Sequence, residues 1–267
     1  MLNSVFAKTL HDLRRGFVWW SLGLAGMVAL MVSVYPTVRD NPALDNLVKN
    51  YPDAFKGLFG FGGELDYSSP AGYLGIELFS LMVPLLLLIA AIGAGSNAIA
   101  GEEERGTLDL LLSAPISRRR VVLEKFGALA AEAAGLGLVL WLSLVVGART
   151  VGMDIGAGRL GGATLGAVLL AVAFGSIALL VGAAAGRRSR AIGLSAAMAV
   201  AAYLVNSLAP LVSSLDTIRK VSPFYYYAAG NPLRNGLDPL HALVLLLLAV
   251  VAAAAACVAI ERLDLRT

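Results

Sequence analysis

Residues 240–260 read LHALVLLLLAVVAAAAACVAI, a stretch without a single Asp, Glu, Lys or Arg. About 18 apolar residues in a helix are enough to cross the hydrocarbon of a bilayer. Moving back along the chain, further long apolar runs lie at 191–212, 160–185, 121–147, 73–100 and 17–35. Six such runs predict an all-α membrane protein with six transmembrane helices, a single domain over residues 1–267. Composition agrees. The chain is 58% hydrophobic with a mean hydropathy of +0.77, against about 45–50% apolar in a soluble domain. A soluble core of this size could not hide that much apolar surface.

Charge lies between the runs. The net value of +3 gives no reason to expect a nucleic acid or other polyanion. The one cysteine, Cys257, can form no internal disulfide. His11 and His241 are far apart, and no Cys/His group has the spacing of a metal site. An even number of spans puts both termini on one side. Arg14, Arg15, Arg118, Arg119, Arg120, Arg187, Arg188 and Arg190 flank spans on that side. Arg149, Arg159, Arg219, Lys220 and Arg234 lie on the other. The excess of arginines predicts cytosolic N- and C-termini in a cell (plasma) membrane.

The flanks carry helical patterns of their own. Leu2, Val5, Phe6, Thr9, Leu10 and Leu13 alternate with Lys8, His11, Asp12, Arg14 and Arg15. Residues 1–15 therefore read as an amphipathic helix in the membrane interface, with an ordinary helix end leading into the first span as the other reading. Trp19 and Trp20 suit an aromatic belt. The first run ends at Tyr35-Pro36-Thr37-Val38 without a small-x-small cleavage site, so a retained span is expected. In the loop 36–72, Leu44, Leu47, Val48, Tyr51, Phe55, Leu58 and Phe59 recur at helical spacing. Short outer helices are expected there and between 213 and 239. Pro84 should kink the second span. No internal repeat is visible.

Between the second and third spans lies GEEERGTLDLLLSAPISRRR, residues 101–120. Acids at a helix start suit its dipole. Thr107, Leu108, Leu111 and Leu112 then form a short apolar stripe, Pro115 ends it, and Ser117 can cap the next helix. A short charged helix held between two spans can dock a cytosolic partner. It can also be a solvated loop, and composition leaves both readings open.

Residues 102–118, EEERGTLDLLLSAPISR, resemble the signature of ABC-2 type permeases. The rest of the chain is compatible, including Ser222-Pro223-Phe224-Tyr225-Tyr226 before the last span. The resemblance implies a permease subunit of a bacterial ABC exporter. It would pair with a second permease copy, as a homodimer or with a paralogue, and dock on separate ABC ATPase subunits. The coupling segment would comprise Glu102, Glu103, Glu104, Arg105, Gly106, Thr107, Leu108, Leu111, Leu112, Pro115 and Arg118. No Gly-x-x-x-x-Gly-Lys-Ser/Thr loop occurs in the chain, so no cofactor is expected on it. ATP and Mg would be bound by the partner ATPase. The resemblance further implies that the 213–239 region caps the exit path, with Phe224 and Tyr225 as a candidate extracellular gate. A plain connecting loop is the alternative.

Other chemistry is sparse. Glu132 lies about 18 Å along the third span from Arg120, where a carboxylate costs on the order of 3 kcal/mol. It should face protein or a wet cavity, either lining a substrate path or packing against a neighbouring span. Glu77 and Asn206 lie nearer the outer half. Ser96 and His241 fall at opposite ends of their spans, so no serine dyad is expected. A stand-alone secondary transporter or channel is the other functional class, with Glu132 as its one deep ionisable group. A structural membrane protein would have no use for the 102–118 segment. Mostly apolar spans suit a hydrophobic drug, antibiotic or lipid-like cargo. Relatives of the family also serve copper-enzyme maturation or ion export, but no Met, Cys or His array here favours metal.

Overall fold

The computed structural model describes residues 4–41, 50, 52, 67–108, 116–209 and 218–262. The helical-spacing positions Leu44, Leu47, Val48, Tyr51, Phe55, Leu58 and Phe59, the stripe positions Leu111 and Leu112, and the breaker Pro115 lie outside the described residues. Among the described residues there are helices and no strand. Six of them are long and apolar enough to cross a membrane.

Helix α1 runs Val5–Arg39, capped by Ser4, whose hydroxyl accepts from Ala7 N at 3.1 Å. Here the structure differs from the in-plane reading of residues 1–15. From Val5 onward they are the first turns of the same unbroken helix as the first span, which also runs through Pro36. No Gly-Pro pair or capping residue separates the amphipathic turns from the apolar ones, so nothing stops the helix between them.

The second span is interrupted. Helix α2, Pro70–Leu74, passes into a π-helical turn at Gly75–Phe79, and α3 begins at Met82 and ends at Ala98. Pro84 sits in the first turn of α3, after the break and not at a mid-span kink. A proline has no N–H for the carbonyl four residues back, so the weak point falls on its N-terminal side. Leu81, at φ −139° and ψ −50°, takes up the change of direction.

Helix α4 is the short piece Ala100–Glu104. The third span is α5, Arg118–Thr150, capped by Ser117 as its position suggested, with the hydroxyl accepting from Arg120 N. The fourth is α6, Ala157–Ala185, and the fifth α7, Arg188–Leu208. They turn at Gly186, whose φ of 58° places it in the left-handed conformation that closes a helix without Cβ strain. After a 3₁₀ turn at Ile218–Val221 come two short helices, α8 (Pro223–Ala228) and α9 (Pro232–Asn235). The sixth span is α10, Pro239–Ala259, extended by a 3₁₀ turn at Ile260–Arg262.

The fourth span is the centre. Helix α6 packs against α3, α5, α7 and α10, while α1 lies along α5. The α3–α6 crossing is a backbone contact: a Cβ at Gly95 would come within 2.1 Å of Gly175 O. Small residues allow such approaches in lipid, where close packing replaces the hydrophobic drive. Exposed Val18, Leu22, Leu30, Leu142, Val146 and Leu247 stand on the outside of the bundle, as a hydrocarbon solvent permits.

Candidate functional site

The predicted 101–120 segment enters the bundle through α4. Glu102 points inward and is 5% exposed. Its Oε1 meets Lys125 Nζ of α5 at 2.7 Å and Lys8 Nζ of α1 at 3.4 Å. Lys125 is 2% exposed, so this is a buried pair; Lys8 is partly exposed and closes it from the surface. Glu103 is half-buried, while Glu104 and Arg105 are exposed. Glu104 Oε1 accepts from the backbone N of Arg188 at 2.9 Å, tying α4 to the start of α7. Arg105 Nη1 donates to Asn97 Oδ1 at 2.9 Å. Gly106 has φ 66°, and Thr107 donates from its backbone and its hydroxyl to Glu102 O. Leu108 is fully buried with Ile99, Val121 and Leu179.

The same end of the bundle holds the start of α1 and the 260–262 turn. Glu124 Oε2 accepts from Phe6 N at 2.9 Å while its Oε1 takes Arg120 at 2.8 Å. Arg118 donates to Ile260 O at 3.1 Å, and Arg119 makes a two-pronged contact with Glu261 at 2.6 and 3.1 Å. The segment thus contacts α1, α5 and α7 at once. The sequence assigns the three acids alike to one coupling segment. The structure separates them by role: one buried partner of two lysines, one half-buried, one cap on another helix. Lys125 and Lys8 were missed. The available signal was a lysine inside a span, which needs a counter-charge.

At the opposite end, Phe224 and Tyr225 divide. Phe224 is buried against Phe174 and Tyr203, with ring centroids 6.0 and 5.4 Å away. Tyr225 is half-buried, between His241 at 5.8 Å and the guanidinium of Arg219 at 5.4 Å. Tyr227 is buried in the protein, donating to Phe79 O at 2.5 Å beside the break in the second span. Asn206 Oδ1 accepts from Arg219 Nε at 3.1 Å, and Glu77 Oε1 from the hydroxyl of Tyr67 at 2.6 Å. Both polar groups have protein partners. Glu132 is buried on α5 between Leu129 and Leu136 of the same face, so it faces protein. Ser96 donates to Gly93 O in its own helix, while His241 begins α10 among the tyrosines. Among the described residues no cluster of His, Cys, Asp or Glu could hold a metal ion.

A helical bundle of six candidate spans, with a short charged element wedged between the second and third, defines a multi-pass membrane protein. The ABC-2 family transporter protein model matches residues 4–265. The chain belongs to that family, the membrane components of ABC transporters. It is also similar to the probable ABC transporter permease protein NosY of Stutzerimonas stutzeri, at 37% identity over 87 residues, 32% of this chain and 28% of that protein. The protein of the same name from Pseudomonas aeruginosa is 37% identical over 79 residues, 30% of this chain and 25% of the relative. The matched stretch spans less than a third of either relative.

Proposed function

We propose that the chain is the permease subunit of an ABC exporter, moving a hydrophobic drug, antibiotic or lipid-like cargo, with ATP and Mg handled by a separate ATPase. The termini and α4 would face the cytosol, where the arginine-rich span ends place them by the positive-inside rule. One observation carries the reading. Helix α4 is joined to α5 through Glu102–Lys125, to α1 through Glu102–Lys8, and to α7 through Glu104–Arg188. A push on this short element is delivered to three spans together. Glu103 and Glu104, with the 109–115 stretch beyond, would be the docking face, and Glu102 the internal anchor.

A second permease subunit would complete the path. The wholly apolar groove between α3 and α7, of about 150 Å³ and lined by Leu81, Leu85, Leu88, Ala199, Tyr203 and Phe224, supports an apolar cargo path or subunit contact there. Tyr225 and the α8 turn would cap its outer end.

The docking test leaves the links of α4 to α1, α5 and α7 intact. Glu103→Lys should sharply weaken co-purification with the ATPase, while the permease still inserts and elutes as wild type. Undiminished co-purification would remove the docking role. A stand-alone transporter would move cargo along an ion gradient in proteoliposomes without the ATPase, an outcome that would replace this reading.

A further inference from the structure

Among the described residues, the second span is the one crossing that a π-helical turn interrupts. The turn Gly75–Phe79 leads to Leu81 at φ −139°, and the helix resumes with Leu85 N on Leu81 O at 2.9 Å. Pro84 has no N–H to offer Ser80 O. Turns of this kind are rare and gather at functional sites.

The pieces on either side of the break are anchored to different neighbours. Helix α3 is pressed to α6, where a Cβ at Gly95 would meet Gly175 O. The outer piece is tied to α1. The Tyr73 hydroxyl donates to Met31 O at 2.8 Å, and the Tyr35 hydroxyl donates to Ser68 O, just before α2, at 3.1 Å. The two rings stand 5.3 Å apart. A third tie comes from the outer turn. Tyr227 of α8 donates to Phe79 O at 2.5 Å. Its ring rests on Gly166 of α6, where a Cβ would stand 3.5 Å from Cδ2. Leu233 of α9 lies against Gly75, and both short helices pack on α6. Through them the outer piece is pinned back to the central helix. Beside the break is a cavity of about 120 Å³, lined by Gly75, Phe79, Ser80, Ala163, Tyr227 and Asn231. A close-packed interior would resist rearrangement of the turn, and this space permits it.

We propose that the break is a hinge in the second span and that Tyr227 is its latch. Shut, the hydroxyl holds Phe79 O and pins the outer piece to α6. Open, α8 has moved outward, the bond is gone, and residues 75–81 absorb the change of backbone direction. Bending of the second span and lifting of the outer turn are thereby one event. Hinge and latch belong to this chain alone, beyond the transport reading and independent of ATPase docking.

The test is hydrogen–deuterium exchange, read by mass spectrometry on the full chain in lipid nanodiscs. Exchange of a protected amide reads how often its segment opens. In wild type, a peptide over 75–84 should exchange faster than one over 86–98. Tyr227→Phe keeps the ring and removes the latch. It should raise exchange over 75–84 by about tenfold, the weight of one buried hydrogen bond, and leave 86–98 unchanged. Pro84→Ala supplies the missing N–H. It should slow exchange over 75–84 and remove most of the increase when combined with Tyr227→Phe. A tyrosine that only stabilises the fold would speed both peptides alike, and Pro84→Ala would not reverse the gain. Either result would overturn the latch. Equal exchange of the two peptides in wild type would overturn the hinge. Should Tyr227→Phe fail to fold, Pro84→Ala against wild type decides, and no slowing over 75–84 would overturn the proposal.

Discussion

The two ends of the bundle are held together by different chemistry. At the terminus end charges cross between elements: Glu102 with Lys125 and Lys8, Glu124 with Phe6 N, Arg119 with Glu261. At the far end rings and hydroxyls do the joining: Phe224 against Phe174 and Tyr203, Tyr225 and Tyr226 against His241, Tyr227 on Phe79 O. Ion pairs are directional and can be remade with water or with a charged partner. Packed rings respond to shape, and separating them opens a cavity. An end built of ion pairs suits contact with a second protein, and an end built of rings suits closure over an apolar path.

The largest test of this contrast is Lys125→Met. It leaves the buried carboxylate of Glu102 with only the partly exposed Lys8 at 3.4 Å, and should cost about 3 kcal/mol. The thermal unfolding midpoint in detergent should fall steeply and recover in large part when Glu102→Gln is added. A midpoint that does not move would show that charge does not hold this end.

Next in size is Tyr227→Phe. It leaves Phe79 O without its donor beside the break in the second span, a loss of about 1–3 kcal/mol in the same melting experiment. The fall should be smaller than that of Lys125→Met. The reverse order would make the ring end the stiffer anchor.

Tyr225→Ala sharpens the functional side. The ring is half-buried, so the expected stability loss is about 0.5–1.5 kcal/mol, yet export should drop while the variant still binds the ATPase. Phe224 is the poorer probe, because its burial against Phe174 would confound a gating defect with a folding one. Wild-type export by Tyr225→Ala would reduce α8 to a connector.

Arg119→Gln should have the smallest effect. Its partner Glu261 is exposed as well, and solvent screens such pairs. No measurable change in melting midpoint is expected, and a clear drop would mean that the 260–262 turn contributes more than exposure suggests.

The spans were legible because a bilayer imposes length and polarity on each of them separately. The run at 240–260 announced α10 almost to the residue, and Ser117 announced the start of α5. Boundaries set by local competition were less legible. Residues 1–15 have an amphipathic pattern, but the pattern does not say whether the helix turns at its end, and here it runs on to Arg39. Pro84 signalled an irregularity, yet the change of direction falls at Leu81, because the missing N–H is felt on the preceding turn.

Thus the sequence by itself determined the number of crossings, their order, the family signature at 102–118 and the sparsity of charge in the spans. Each of these follows from composition within one contiguous stretch. Only the tertiary structure decided which of Glu102, Glu103 and Glu104 turns inward, that Lys125 and Lys8 share one carboxylate oxygen, and that Tyr227 caps a carbonyl 148 positions away. It also decided that Gly95 and Gly175 bring two backbones into contact. Those pairings join positions far apart in the chain. Their partners are chosen by how helices pack against one another, and no single helix carries that information in its own periodicity.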